Sequence, residues 1–188
     1  MKRILMFPVL AAVLLSGGCF FASPQDVTYY DLSLPSDLAV TGIQVAFSEF
    51  ENLSGAGARM RYRINGNQQL MDNLNKWAGA PDKMVHQYLL LSLTGSTSEL
   101  KPRKTLTVHG RLEVFELNLN KQEAVMQFSY MIEGGTYQPP VKWQTVRSVV
   151  PLNETTPVEF ARAFSESAEQ VAKSIRNDIL NHYQTTLR

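Results

Sequence analysis

Only one cysteine, Cys19, stands among 188 residues. Without a second thiol no intramolecular disulfide can form, so the fold must rest on an apolar core, and a 44% hydrophobic content supplies one. An excess of charge of one sign is also missing: 18 basic residues face 17 acidic ones. Nucleic-acid-binding surfaces need a concentrated positive field, which this balance does not provide. Beyond the amino-terminal region no apolar run reaches the roughly 20 residues that span a bilayer. The chain contains no G-x-S-x-G elbow, P-loop or H-E-x-x-H sequence. His86, His109 and His182 fall on a predicted helix, a strand exterior and a helix end, with no common metal spacing, and read as isolated solvated or partly buried side chains. Glu113 and Glu116 are expected on opposite faces of one strand, which does not favour a paired acid and base. A serine could still meet a base from a distant segment, because folds assemble triads without regard to sequence order. The balance is against an enzyme, and no cofactor or metal site is expected.

What the chain does have begins at its first residues. Met1-Lys2-Arg3 precedes an apolar stretch from Ile4 to Leu15, followed by Ser16-Gly17-Gly18-Cys19. A positive start, an apolar core and small residues leading to cysteine read as a bacterial lipoprotein signal peptide. Residues 1–18 would then be removed, the Cys19 thiol would carry a diacylglycerol, and the new amino terminus would be acylated as well. One acyl chain holds a membrane only marginally, whereas two or more hold it stably. The departure is Ser16, which sits where leucine is usual, with Leu15 one step earlier. Two other readings compete: a secretory signal cut near Ala22, and a signal anchor, against which Pro8 and the Ser-Gly-Gly break count. Loss of Lys2 and Arg3 leaves 16 basic residues against 17 acidic, turning a formal charge of +1 into −1.

Residues 19–26 are expected to form a short lipidated tether and 27–188 one domain. Val27–Leu34 predicts a strand ended at Pro35-Ser36. Leu38–Phe50 predicts another, with Ile43, Val45 and Phe47 on one face. Asn52–Gly57 is a flexible break. From Ala58 to Ile64 the alternation is strict, Met60, Tyr62 and Ile64 opposing Arg59, Arg61 and Arg63. Gly66-Asn67 predicts a hairpin turn into a weaker strand, Gln69–Trp77. Pro81 with Asp82 predicts a helix start, followed by Met84, Val85, Tyr88, Leu89 and Ser92 at helical spacing. Gly95–Lys104 is a polar loop. Strands Thr105–Leu117, with Leu106, Val108, Leu112 and Val114 sharing a face, and Glu123–Glu133 form a hairpin. After turns at Gly134-Gly135 and Pro139-Pro140 comes a last strand, Val141–Val150. Thr156-Pro157-Val158-Glu159 is a capping box, and Phe164, Ala168, Val171, Ile175 and Ile179 form an apolar stripe beyond it. The expected architecture is α+β: a two-layer sandwich, mostly antiparallel, with two main helices on one face.

The arginine row has two readings. Arg59, Arg61 and Arg63 could meet anionic headgroups or an acidic partner through forked bonds; equally they could be an ordinary solvent face that discourages edge pairing. Trp77 and Trp143 read as core or rim packing.

Taken in order, these segments resemble the ABC-type transport auxiliary lipoproteins, the PqiC-like family that accompanies MCE-type lipid transport systems. The resemblance is carried by the cysteine at 19, by Tyr29-Tyr30-Asp31-Leu32 after the tether, by Met60-Arg61-Tyr62-Arg63 with Asn75-Lys76-Trp77-Ala78, by the Leu106-Thr107-Val108 strand and by the terminal amphipathic helix. The shifted leucine, Ser33 before Leu34-Pro35 and a longer carboxy-terminal helix depart from it. The resemblance implies a non-enzymatic lipoprotein, anchored in the outer membrane and facing the periplasm. Its partner would be an MCE-domain protein of a system that moves phospholipid or another hydrophobic molecule. Phe20 after the cysteine suits outer-membrane sorting. The rival is a structural or assembly lipoprotein partnering an outer-membrane export channel. Self-association into a homo-oligomer is left open.

The expected consequence of the signal is measurable. Intact-mass spectrometry of the mature protein should show acyl chains on Cys19, and Cys19→Ala should block processing; an unmodified terminus beginning beyond Cys19 would refute this assignment.

Overall fold

The computed structural model describes residues 25–36, 38–39, 43–94, 104–134 and 142–185. The expected signal with Cys19, most of the expected tether, the expected loop and turns over 95–103 and 135–141, and the final residues lie outside this set. The strands are β1 (Thr28–Tyr30), β2 (Ile43–Phe47), β3 (Glu51–Asn52), β4 (Arg59–Ile64), β5 (Gln68–Trp77), β6 (Lys104–Asn118), β7 (Glu123–Gly134) and β8 (Gln144–Pro151). Helix α1 spans Pro81–Thr94 and α2 spans Pro157–Thr185.

All eight strands join one sheet in the order β1-β5-β4-β6-β7-β8, with β2 and β3 also pairing β6. The sheet is mixed, so the expected antiparallel character holds only in part: the longest ladders are antiparallel, and shorter parallel ones join them. The ladders β4–β5, β6–β7 and β7–β8 are antiparallel, but β1–β5, β2–β6, β3–β6 and β4–β6 are parallel. Parallel neighbours need a long connection between them, and the segments that lead from β2, β3 and β4 to β6, which include α1, supply it; β5, the strand directly before α1, runs antiparallel to β4 and does not pair with β6. Alternation within a strand carries no information about its neighbour.

The first strand is shorter than predicted. After Tyr30 the chain leaves the sheet and crosses the helices: Ser33 N–H donates to Ser165 Oγ at 2.8 Å, and Ser92 Oγ donates to the Ser36 carbonyl at 3.0 Å. Helix serines thus satisfy backbone groups that a strand ladder would otherwise take. In the β4–β5 hairpin, Asn65 and Gly66 carry the positive φ values, 49° and 69°, so the turn sits one residue earlier than expected.

The helices follow the sequence signals closely. Pro81 opens α1, and Met84, Val85, Tyr88, Leu89 and Ser92 are all buried. At α2, Glu159 N–H donates to Thr156 Oγ1 at 3.3 Å, while the Glu159 carboxylate accepts from Asn153 N–H at 2.8 Å. Phe164, Ala168, Val171, Ile175 and Ile179 are essentially inaccessible to solvent.

Strand β6 departs from simple alternation. Its register with β7 shifts between Leu112 and Val114, leaving Glu113 as the extra residue of a β-bulge. Leu106, Val108 and Leu112 are buried as predicted, but past the bulge the phase inverts and Phe115 and Leu117, not Val114, turn inward. Phe115 stacks on Phe164 of α2, ring centroids 3.7 Å apart and planes 11° from parallel, with Trp77 edge-on to both. Phe164→Ala removes the helix half of that stack. The substitution should lower unfolding free energy by about 3–5 kcal/mol, the usual cost of truncating a buried phenylalanine, as read by chemical denaturation; an unchanged midpoint would show α2 to be peripheral.

Candidate functional site

The helices cover one face of the sheet, so the opposite face and the groove over the helices are what remain for function. On β7 the even residues Ala124, Met126, Phe128, Tyr130 and Ile132 point to the core. The odd residues therefore face outward, and their register partners on β6 and β8 do likewise. The bulge brings Glu113 and Glu116 onto this same outer face, correcting the expectation that they lie on opposite ones. They remain apart in role. Glu113 accepts from Gln127 Nε2 and Ser129 Oγ, each at 2.6 Å, and these hydrogen bonds hold its carboxyl below the ordinary range. Glu116 takes a forked bond from Arg63. Neither carboxylate is poised as a general acid or base.

The arginine row is split by its surroundings. Arg63 is committed to Glu116, Nη2 to Oε2 being 2.6 Å. Arg61 donates to the carbonyls of Ser54 at 2.9 Å and Gly55 at 3.5 Å; among the described residues it makes no ion pair and its buried Nε has no acceptor. Arg59 is exposed and has no ion pair among the described residues. Three side chains of one sequence pattern therefore have three different fates.

One cluster escaped sequence reasoning. Arg59 pairs with Lys76 and Arg61 with Met71, so four residues of β5, 72–75, span the space opposite Met60 alone. Asp72 holds this bulge closed. Its Oδ1 accepts from the Leu74 and Asn75 amides at 2.8 and 2.9 Å; its Oδ2 accepts from Tyr62 Oη at 2.7 Å and Asn75 Nδ2 at 2.9 Å. Burial raises the Asp72 pKa, but the donors from Asn75, Tyr62 and Leu74 outweigh it and bring the value down to about 2. Burial and the hydrogen bond to Asp72 push Tyr62 upward in turn. The available signal was Asp72-Asn73-Leu74-Asn75, whose side chains favour Asx turns over strand ladders.

Over the helices, Asp31–Pro35, Met84, Tyr88 and Leu91 border a groove of about 270 Å³. It adjoins a second hollow of about 520 Å³ lined in part by Arg162, Glu169 and Lys173. Their charges are spent locally: Arg162 on Glu159 and Glu166, Lys173 on Glu169. Among the described residues no group of three His, Cys, Asp or Glu side chains could hold a metal. His86 packs edge-on against Phe47 and Phe50, His109 lies 3.1 Å from Glu133, and the His182 side chain falls outside the described set. Trp77 is buried, and Trp143 carries the Arg111 guanidinium 4.2 Å above its ring at the rim. No described helix is long and apolar enough to cross a membrane.

Residues 57–176 match the family model described as ABC-type transport auxiliary lipoprotein component. This interval runs from the start of β4 through most of α2 and covers well over half the chain. The chain belongs to that family. Two solved structures share the fold. One, from Xanthomonas campestris, is protein XCC0632 of the family model DUF330, with 12% identity over 86% of this chain and all of its own, and a TM-score of 0.66. The other is titled only as an uncharacterized protein, with 14% identity over 82% of this chain and 99% of its own, and a TM-score of 0.64. No curated protein matches the sequence. Membership brings the association with ABC-type transport and with lipoproteins; the structural relatives bring the fold.

The Asp72 cluster makes a pH prediction. A carboxyl depressed from its ordinary 3.8 to about 2 stabilises the fold above pH 4, and the stabilisation is lost as pH falls from about 4 toward 2. Asp72→Asn should therefore lower the melting temperature at neutral pH and flatten its decline over that window; a parallel decline in both proteins would contradict the assignment.

Proposed function

We propose that this family member is a non-catalytic, lipid-anchored subunit held at the outer membrane and facing the periplasm. There it contacts an MCE-domain protein of an ABC-type system that moves phospholipid or another hydrophobic molecule. The observation that carries the reading is the family match over residues 57–176. The Cys19 signal and Phe20 support anchoring and sorting. The engaged carboxylates, the locally neutralised groove and the scattered histidines support a role in binding rather than catalysis.

The physical role follows from tethering. Cys19 to Thr28 is nine residues, which reaches at most about 30 Å when fully extended. A domain so confined meets a partner that spans the envelope at a high local concentration without a tight contact of its own. The ATPase and permease would be separate chains.

The lipidated protein should co-purify with an MCE-domain protein from detergent-solubilised envelopes, and its deletion should sensitise cells to membrane-active compounds. Co-purification with an outer-membrane export channel in place of any transport component would favour the assembly-lipoprotein role instead.

A further inference from the structure

The corner of the sheet nearest the tether gathers side chains that the family match does not explain. Strands β1, β5 and β4 are adjacent there, and Tyr29, Lys76 and Arg59 lie side by side across them. Residues directly opposite one another in a ladder share a face. Tyr30, Trp77 and Met60, the next residues on the three strands, pack into or against the core, so Tyr29, Lys76 and Arg59 point to the uncovered face. Arg61 and its partner Met71 share that face. Tyr29 is 62% exposed and Met71 58%. Neither Arg59 nor Lys76 makes an ion pair among the described residues, and Arg61 is bonded only to carbonyl oxygens. The nearest carboxylate on β5, Asp72, is turned toward Tyr62 on the helix side. The corner therefore presents an amphipathic aromatic ring, a flexible thioether and the charges of Arg59 and Lys76, which have no ion-pair partner among the described residues, with Arg61 beside them held by carbonyl oxygens.

We propose that this corner rests on an anionic phospholipid surface, orienting the domain on the membrane to which Cys19 ties it. The inference depends on the anchored reading above. Two observations choose a bilayer as the occupant. The described chain begins at Gln25, three residues before β1, so the amino-terminal tether enters the fold through this corner and Tyr29 is only ten residues from Cys19. The charge is complementary to anionic headgroups. Tyrosine favours the membrane–water interface, and lysine and arginine can lay their methylene stems on apolar surface while keeping the charge among headgroups. Arg63 is not part of the contact, because Glu116 already holds it.

The test uses the full mature lipoprotein in vesicles of phosphatidylcholine with or without phosphatidylglycerol. An environment-sensitive nitrobenzoxadiazole label is placed at Met71→Cys and, separately, at Val149→Cys, an exposed position on the opposite edge strand β8. Acylation of Cys19 leaves the introduced thiol as the single reactive one. With phosphatidylglycerol present, the label at 71 should shift to shorter wavelength and become several-fold less accessible to iodide, while the label at 149 stays wet. Arg59→Glu with Lys76→Glu should abolish the difference without releasing protein from floating vesicles. Equal exposure of the two labels on protein that floats would overturn the docking surface and leave the anchor standing. A label at 71 that dries only when a transport subunit is added would assign the corner to a protein and overturn the bilayer. Protein that neither floats nor shows acyl chains by intact mass would remove the anchor and the proposal with it.

Discussion

Strand β6 is the hub of the sheet, pairing with β7 along one edge and with β2, β3 and β4 along the other, and one extra residue in it sorts the side chains of the whole molecule. Before Glu113 the buried positions are Leu106, Val108 and Leu112; after it they are Phe115 and Leu117. Without the bulge, the phenylalanine that stacks on Phe164 would face solvent and Glu116 would face the helices. Close approach elsewhere on the strand also depends on this register. Gly110 lies beneath Phe50 and Phe128, where an added Cβ would come within 2.7 Å of the Phe50 ring. Gly110 and Phe115 thus meet the core from opposite sides of the irregularity, and each is suited to only one phase.

The same sorting produces the outer face. Glu113 is bound by Gln127 and Ser129, and Glu116 by Arg63, so the bulge places two carboxylates where donors await them. The result is a cross-strand polar surface with its hydrogen bonds largely satisfied internally. Such a surface suits a rigid binding module, because little of it must be reorganised when a partner arrives. Arg59 and Lys76, which make no ion pair among the described residues, lie at the β1-β5-β4 corner, near the amino-terminal end of the described chain.

The sequence was most legible where local chemistry dominates. Pro81 and the Thr156-to-Glu159 pattern marked both helix starts, and the 3.6-residue stripes named their buried faces. The Arg59-to-Ile64 alternation located β4. What escaped were properties that depend on distant segments. The parallel pairing of β2, β3 and β4 with β6 joins segments that are distant in sequence; the phase change at Glu113 is set by a partner strand. The three arginines read as equivalent because alternation reports which face a side chain takes and not what waits there: Glu116, two carbonyls or water. The tight cluster around Asp72 looked like weak strand because Asp, Asn and Asn disfavour ladders, although that same composition is the signature of a side-chain-stapled bulge.

Deletion of Glu113 tests the dependence on register most directly. With the extra residue gone, β6 must either carry Phe115 and Leu117 to the outer face or break its pairing with β7. The account predicts loss of cooperative thermal unfolding and of the near-ultraviolet circular dichroism from the Trp77–Phe115–Phe164 cluster. A deletion variant that melts cooperatively at the parental temperature, with that signal intact, would contradict it.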